Sequence, residues 1–157
     1  IDDTYDSYVF KFYNIHPATD NVQFLFNMSS DSGSNYNVTK TTTYFLAEHN
    51  ATGGSANLSY QSAKDLAQST DFQKLMTDLG NAADENLSGY LTIYNPSSTT
   101  FVKNFMSRTN AQAYSATNIS FDNYIAGYGN TTSAVDAIQF KMSSGTFDGV
   151  IKLYGVS

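Results

Sequence analysis

Two stretches, Tyr8-Val9-Phe10-Lys11-Phe12-Tyr13 and Val22-Gln23-Phe24-Leu25-Phe26-Asn27-Met28, decide the fold class. In each, large apolar residues recur at every second position. Tyr8, Phe10 and Phe12 share one side against Val9, Lys11 and Tyr13; Val22, Phe24, Phe26 and Met28 share one side against Gln23, Leu25 and Asn27. Successive side chains of a strand point to opposite faces, so this period predicts half-buried antiparallel strands. Pro17 lies between them in His16-Pro17-Ala18-Thr19-Asp20-Asn21 and marks a turn, because proline cannot donate to a ladder.

Working outward, Leu91 and Ile93 stand before Asn95-Pro96-Ser97-Ser98-Thr99, and Phe101 and Phe105 after it. Strand, proline turn, strand is thereby repeated, and the chain's 2 prolines occupy matching places. We read this as a weak echo of the kind a sandwich of repeated hairpins gives. Further strands are expected over 42–48, 120–127, 135–142 and 150–156, the last two parted by Ser143-Ser144-Gly145. The segment 29–36, rich in Ser, Asp, Gly and Asn, reads as a loop. One helix is expected over 70–79. Thr70 and Gln73 have capping-box spacing, Phe72, Leu75, Met76 and Leu79 follow i, i+3, i+4, i+7, and Gly80 supplies a stop. The expected fold is all-β, an antiparallel β-sandwich of jelly-roll type with one short helix; an up-and-down barrel is the competing architecture.

The chain has 157 residues, which fits a single domain over 1–157. It has no cysteine, so disulfides and thiolate chemistry are excluded. Its 8 Lys and Arg against 14 Asp and Glu give a net charge of −6, and no basic run offers a nucleic-acid footprint. No apolar run approaches the roughly 18 residues of a membrane helix, so membrane insertion is not expected. Charged residues are 14% against the usual ~25%, and Tyr and Phe number 12 and 11, a balance that favours strands with a Ser-, Thr- and Asn-rich surface.

Catalysis needs an acid, base or nucleophile held in reach of a partner. His16 and His49 have no such partner nearby in sequence. Glu48, Asp84, Glu85, Asp122, Asp136 and Asp148 show no pattern that sets two carboxylates face to face, as glycoside hydrolysis requires. Asp31-Ser32-Gly33-Ser34-Asn35 opens like a calcium loop but has Thr42 where the closing acid should stand. Asp2-Asp3 with Asp6, and Asp84-Glu85, are other oxygen clusters that turn chemistry explains. Gly53-Gly54 lacks the lysine of a phosphate loop. No catalytic residue, cofactor site or metal site is therefore expected. Tyr36, Tyr60 and Tyr114, placed in loops, are the candidates for stacking on sugar rings, although ordinary rim or subunit-interface contact is the preferred reading of them.

Five stretches carry a resemblance. They are Ile1-Asp2-Asp3-Thr4-Tyr5-Asp6-Ser7-Tyr8, Asn14-Ile15-His16-Pro17-Ala18-Thr19-Asp20-Asn21-Val22, Asp65-Leu66-Ala67-Gln68-Ser69-Thr70, Tyr94-Asn95-Pro96-Ser97-Ser98-Thr99-Thr100-Phe101-Val102-Lys103, and Ile138-Gln139-Phe140-Lys141-Met142-Ser143-Ser144-Gly145 with Ile151-Lys152-Leu153-Tyr154-Gly155. Together they resemble a family of small structural proteins in marine tailed bacteriophages, of the cyanophage and pelagiphage type. The resemblance implies a virion-surface location and no enzymatic role. It also implies one more Ser/Thr-rich strand upstream, so a short N-terminal segment is expected to be missing before Ile1. The function expected from it is an outer capsid decoration or cement protein. The alternative is the receptor-binding tip or knob of a tail fibre that contacts host surface glycans. The expected partners are other virion proteins, either the major capsid protein or tail components, together with copies of the chain itself in a homo-oligomer such as a trimer.

Overall fold

The computed structural model describes residues 1–114 and 118–157. Among the described residues the chain forms ten strands and no helix: β1 (Ser7–Pro17), β2 (Val22–Ser29), β3 (Lys40–Asn50), β4 (Ala56–Tyr60), β5 (Gln73–Leu79), β6 (Leu87–Tyr94), β7 (Lys103–Ala113), β8 (Ile119–Gly129), β9 (Ala137–Met142) and β10 (Phe147–Val156). Every strand pairing is antiparallel. A wide run has the order β10-β1-β6-β7-β8-β3-β4, and a narrow run the order β9-β2-β5. They are linked by a single pair, Leu79 with Ala113.

The alternation read from the sequence is the alternation that packs. Tyr8, Phe10 and Phe12 turn inward from β1 and meet Phe24 and Phe26 of β2 and Phe140 of β9. Phe12 stands edge-on to Phe24 at 5.2 Å and to Phe140 at 5.1 Å, and Phe26 edge-on to Phe105 of β7 at 4.9 Å. These rings bridge the wide and narrow runs, so the core lies between them.

The helix expected over 70–79 is absent; Gln73–Leu79 is strand β5. Leu75 and Met76 are both fully buried, which a regular strand cannot arrange for adjacent residues. The strand is irregular: its partners on β2 step from Val22–Leu79 to Phe24–Met76 to Leu25–Lys74, and Asp78 has φ of 56°. A bulge adds a residue and turns the chain, so extended backbone reproduces the spacing of a helical stripe. Gln73 caps nothing; it accepts a hydrogen bond from Thr42 Oγ1 at 2.6 Å and donates to the Lys64 and Lys74 carbonyls.

The two proline turns are not equivalent. Pro96 follows β6, which pairs directly with β7. Pro17 ends β1, whose partners are β10 and β6, while β2 pairs with β5 and β9. The second connection, 143–146, mirrors the first: β10 stays beside β1 and β9 beside β2. A two-strand ribbon thus folds over from the wide run to the narrow one, and the Ala18 N–H bonds the Thr146 carbonyl at the fold. Since β1 is flanked on both sides, the end of the wide run is β10.

Candidate binding face

The outward side of the wide run is the surface on which polar and aromatic groups converge. Register fixes it. Tyr60 lies opposite Phe45, Phe45 opposite Tyr124, Tyr124 opposite Arg108, Arg108 opposite Tyr90, Tyr90 opposite Lys11, and Lys11 opposite Lys152. One row therefore crosses all the strands from β4 to β10, and six strand spacings of about 4.8 Å make it about 29 Å long. From β3 to β1 the members alternate with buried neighbours, as Tyr44 and Leu46 bracket Phe45 and Ser107 and Thr109 bracket Arg108, whereas Tyr60 and Lys152 on the end strands have none. The aromatic members are open to solvent, with Phe45, Tyr60, Tyr90 and Tyr124 between 40% and 48% exposed.

Arg108 and Asp122 form the one salt bridge found among the described residues. The fork is bidentate, Nε to Oδ1 at 3.0 Å and Nη2 to Oδ2 at 2.7 Å, and Tyr124 Oη donates to the same Oδ2 at 3.1 Å. The guanidinium lies over the Tyr124 ring at 4.7 Å. Hydrogen bonding to Asp122 raises the Arg108 pKa, and the same bond lowers that of Asp122. Shallow depressions on this face are lined by Thr43, Phe45, Tyr90, Met106, Arg108 and Tyr124, and beside them by Ser88, Asn110 and Asp122.

No family model, no curated protein and no solved structure matches the chain.

The three tyrosines singled out from sequence do not converge. Tyr60 ends β4 and opens the row, its hydroxyl bonded to Asp65. Tyr36 packs over Gly33 beside β2 and its carbonyl accepts from Asn27, whereas Tyr114 follows β7 and its N–H bonds the Asp78 carbonyl. Phe45, Tyr90 and Tyr124 were missed, although the signal existed: each is a large ring at the position opposite a buried alternation.

The carboxylates are dispersed. Glu85 is buried and accepts from the Ala82 N–H at 2.9 Å, and Asp136 accepts from the Ser32 N–H. Glu48 is on β3 and Asp148 on β10, near opposite ends of the wide run, while Asp84 lies exposed before β6. His16 meets the Ala82 carbonyl at 3.1 Å and His49 stands opposite Ser120. Asp31 accepts from Ser29, from the Asn35 N–H and from Asn35 Nδ2, bonds that organise the loop and lower its pKa. Asp2 accepts from Tyr8 Oη at 2.5 Å and from the Thr4 N–H, which hold it at about 2. Gly53-Gly54 sits in the turn between β3 and β4. Among the described residues no three His, Asp or Glu side chains come together as a metal cluster.

The interior holds two lysines that nothing in the sequence announced. Lys40 and Lys103 are fully buried and flank Gly129 on either side in register. Lys40 Nζ donates to Asn27 Oδ1 at 2.5 Å and the Val38 carbonyl at 2.8 Å; Lys103 Nζ donates to the Phe101 and Thr131 carbonyls. Burial lowers both, Lys40 to about 8. A side chain at Gly129 would run into Met28 Cε and Val38 Cγ1. These ammoniums tie down the loops that close one end of the core, which suits a structural role. They form no salt bridge among the described residues, although Asp71 lies near enough to Lys40 to oppose the effect of burial.

Proposed function

We propose that the chain is a non-catalytic structural protein of a phage virion, placed on the outside of the capsid as a decoration or cement protein. One observation carries the reading: β10 is an open edge. Among the described residues it pairs on one side only, and Val150, Leu153, Tyr154 and Val156 are 43% to 51% exposed along it. An unpaired ladder lined by apolar side chains is a template for a neighbouring subunit. Such a protein needs contact area and repeated copies more than chemistry, and a homo-oligomer, a trimer or a lattice, fits that use. As architecture we propose a two-sheet sandwich of the jelly-roll kind; the ribbon folding from the wide run to the narrow one supports it.

A second reading has its own support. The aromatic and cationic row suits the tip of a tail fibre that meets host glycans. Immunogold labelling of intact particles tests the choice. Gold over the head supports decoration, gold at the tail extremity supports the fibre tip, and unlabelled particles overturn both. Light scattering is the companion measurement: an oligomer that Leu153→Lys converts to monomer is expected, and a native monomer refutes the role of the edge.

A further inference from the structure

We infer that the outward face of the wide run binds an acidic glycan, its rings stacking on sugar faces and its cations meeting the sugar's carboxylate or sulfate groups. The inference rests on the fibre-tip reading and names the ligand class.

Charge carries it first. The long row and the two rows beside it hold Lys11, Lys152, Arg108 and Asp122 as their charged members. Within these three rows, three of the chain's 8 basic residues stand with one of its 14 acidic ones, and Asp65 adds a carboxylate at the Tyr60 end. A protein of net charge −6 has concentrated cations on one surface. Lys11 and Lys152, moreover, are direct cross-strand partners, and neither forms a salt bridge among the described residues. The two ammoniums lean to opposite sides of the row, so each offers a separate cation to a ligand. Their ammoniums rest over neighbouring rings, Lys11 on Tyr154 and Lys152 on Tyr13, each at 5.3 Å, which holds them on the face.

The rings give the sugar specificity. Tyr124 and Tyr90 lie two strands apart on the same row, about 10 Å, with Arg108 between them. Tyr90 stands open on one side of Arg108, and on the other the guanidinium covers one face of the Tyr124 ring, so ring and cation together present a mixed surface to a pyranose bearing an acid. Arg108 spends Nε and Nη2 on Asp122, so the carboxylate orients the fork while Nη1 keeps its donors. A flat face without a deep pocket fits an extended polymer laid across the strands.

The test is affinity electrophoresis of the native protein in gels containing polygalacturonate or neutral dextran. Retardation by polygalacturonate alone is expected, against the repulsion that the net charge predicts, and it should fall as salt is added. The pairs Lys11→Gln with Lys152→Gln, and Tyr90→Ala with Tyr124→Ala, should each weaken it by at least about tenfold at unchanged thermal midpoint. No retardation, equal retardation by dextran, or undiminished binding in both pairs overturns the inference. So does a native dimer that the lysine pair dissolves, which would make the face a contact between copies. Gold at the tail extremity without glycan binding removes this inference and leaves the fibre-tip reading standing.

Discussion

Lys40 makes the stability of this protein depend on alkaline pH. Burial brings its ammonium from the ordinary 10.5 to about 8. Between those values the unfolded chain holds a proton that the folded chain has released, so stability rises with pH through that window. Below about 8 the full cost of burying the charge is present. At about 1.36 kcal/mol per pH unit the interval corresponds to roughly 3 kcal/mol, of which about 2 kcal/mol is recovered between pH 7 and pH 9.5. Tyr44 limits the range from above. Its buried phenol titrates higher than the ordinary 10.0, so the unfolded chain ionises first and stability falls beyond that point. Urea midpoints at about pH 7 and pH 9.5, at constant ionic strength, are the assay. The native protein should gain about 2 kcal/mol more than Lys40→Met over this interval. Equal pH profiles in the two proteins would refute the burial argument.

Phe24 is fully buried among the rings of Phe12, Phe140 and Phe147, so Phe24→Ala should cost about 3 to 5 kcal/mol in urea unfolding. Arg108 is half exposed, and a double-mutant cycle with Arg108→Met and Asp122→Asn should return a coupling below about 1 kcal/mol despite the bidentate geometry. Reducing-sugar assays against polysaccharides, and peptide-cleavage screens, should detect no turnover; turnover abolished by Glu48→Gln or Glu85→Gln would reverse the non-catalytic reading.

The strands were legible where one face is buried and the other wet. In β1 and β7 alternate residues face the core with hardly a break, and the sequence shows it. Strand β5 was illegible because two register shifts against β2, one at Leu75 and one at Thr77–Asp78, give extended backbone a helical spacing. Strand β4 escaped notice because Ala56-Asn57-Leu58-Ser59-Tyr60 is largely exposed and has no buried face to leave a pattern. In β2 the expected outward Leu25 and Asn27 are buried too, since the Tyr36 and Thr70 carbonyls come to Asn27 from covering segments. The binding row was half legible: alternation tells which residues face out, but which strands stand side by side depends on pairing between distant segments. Lys40 and Lys103 were hidden for a different reason. Lysine is almost always a surface residue, and only the loop carbonyls around each one reveal the exception.

The ribbon that folds from the wide run to the narrow one sets the order of events in folding. Strand β1 leaves the ribosome before the nine other described strands, yet one of its two neighbours is β10, with Ser7 beside Val156. Its other neighbour, β6, lies about halfway along the chain. The early segment with its inward Tyr8, Phe10 and Phe12 must therefore wait, apolar and unpaired, until residues 87–94 have been made, and stays open on its other side until residues 147–156 follow. Closing so long a loop is slow, on the millisecond-to-second scale of sheet proteins, and leaves a window for mispairing between nascent chains. Synthesis rate and chaperone supply, rather than final stability, would then govern the yield of folded protein.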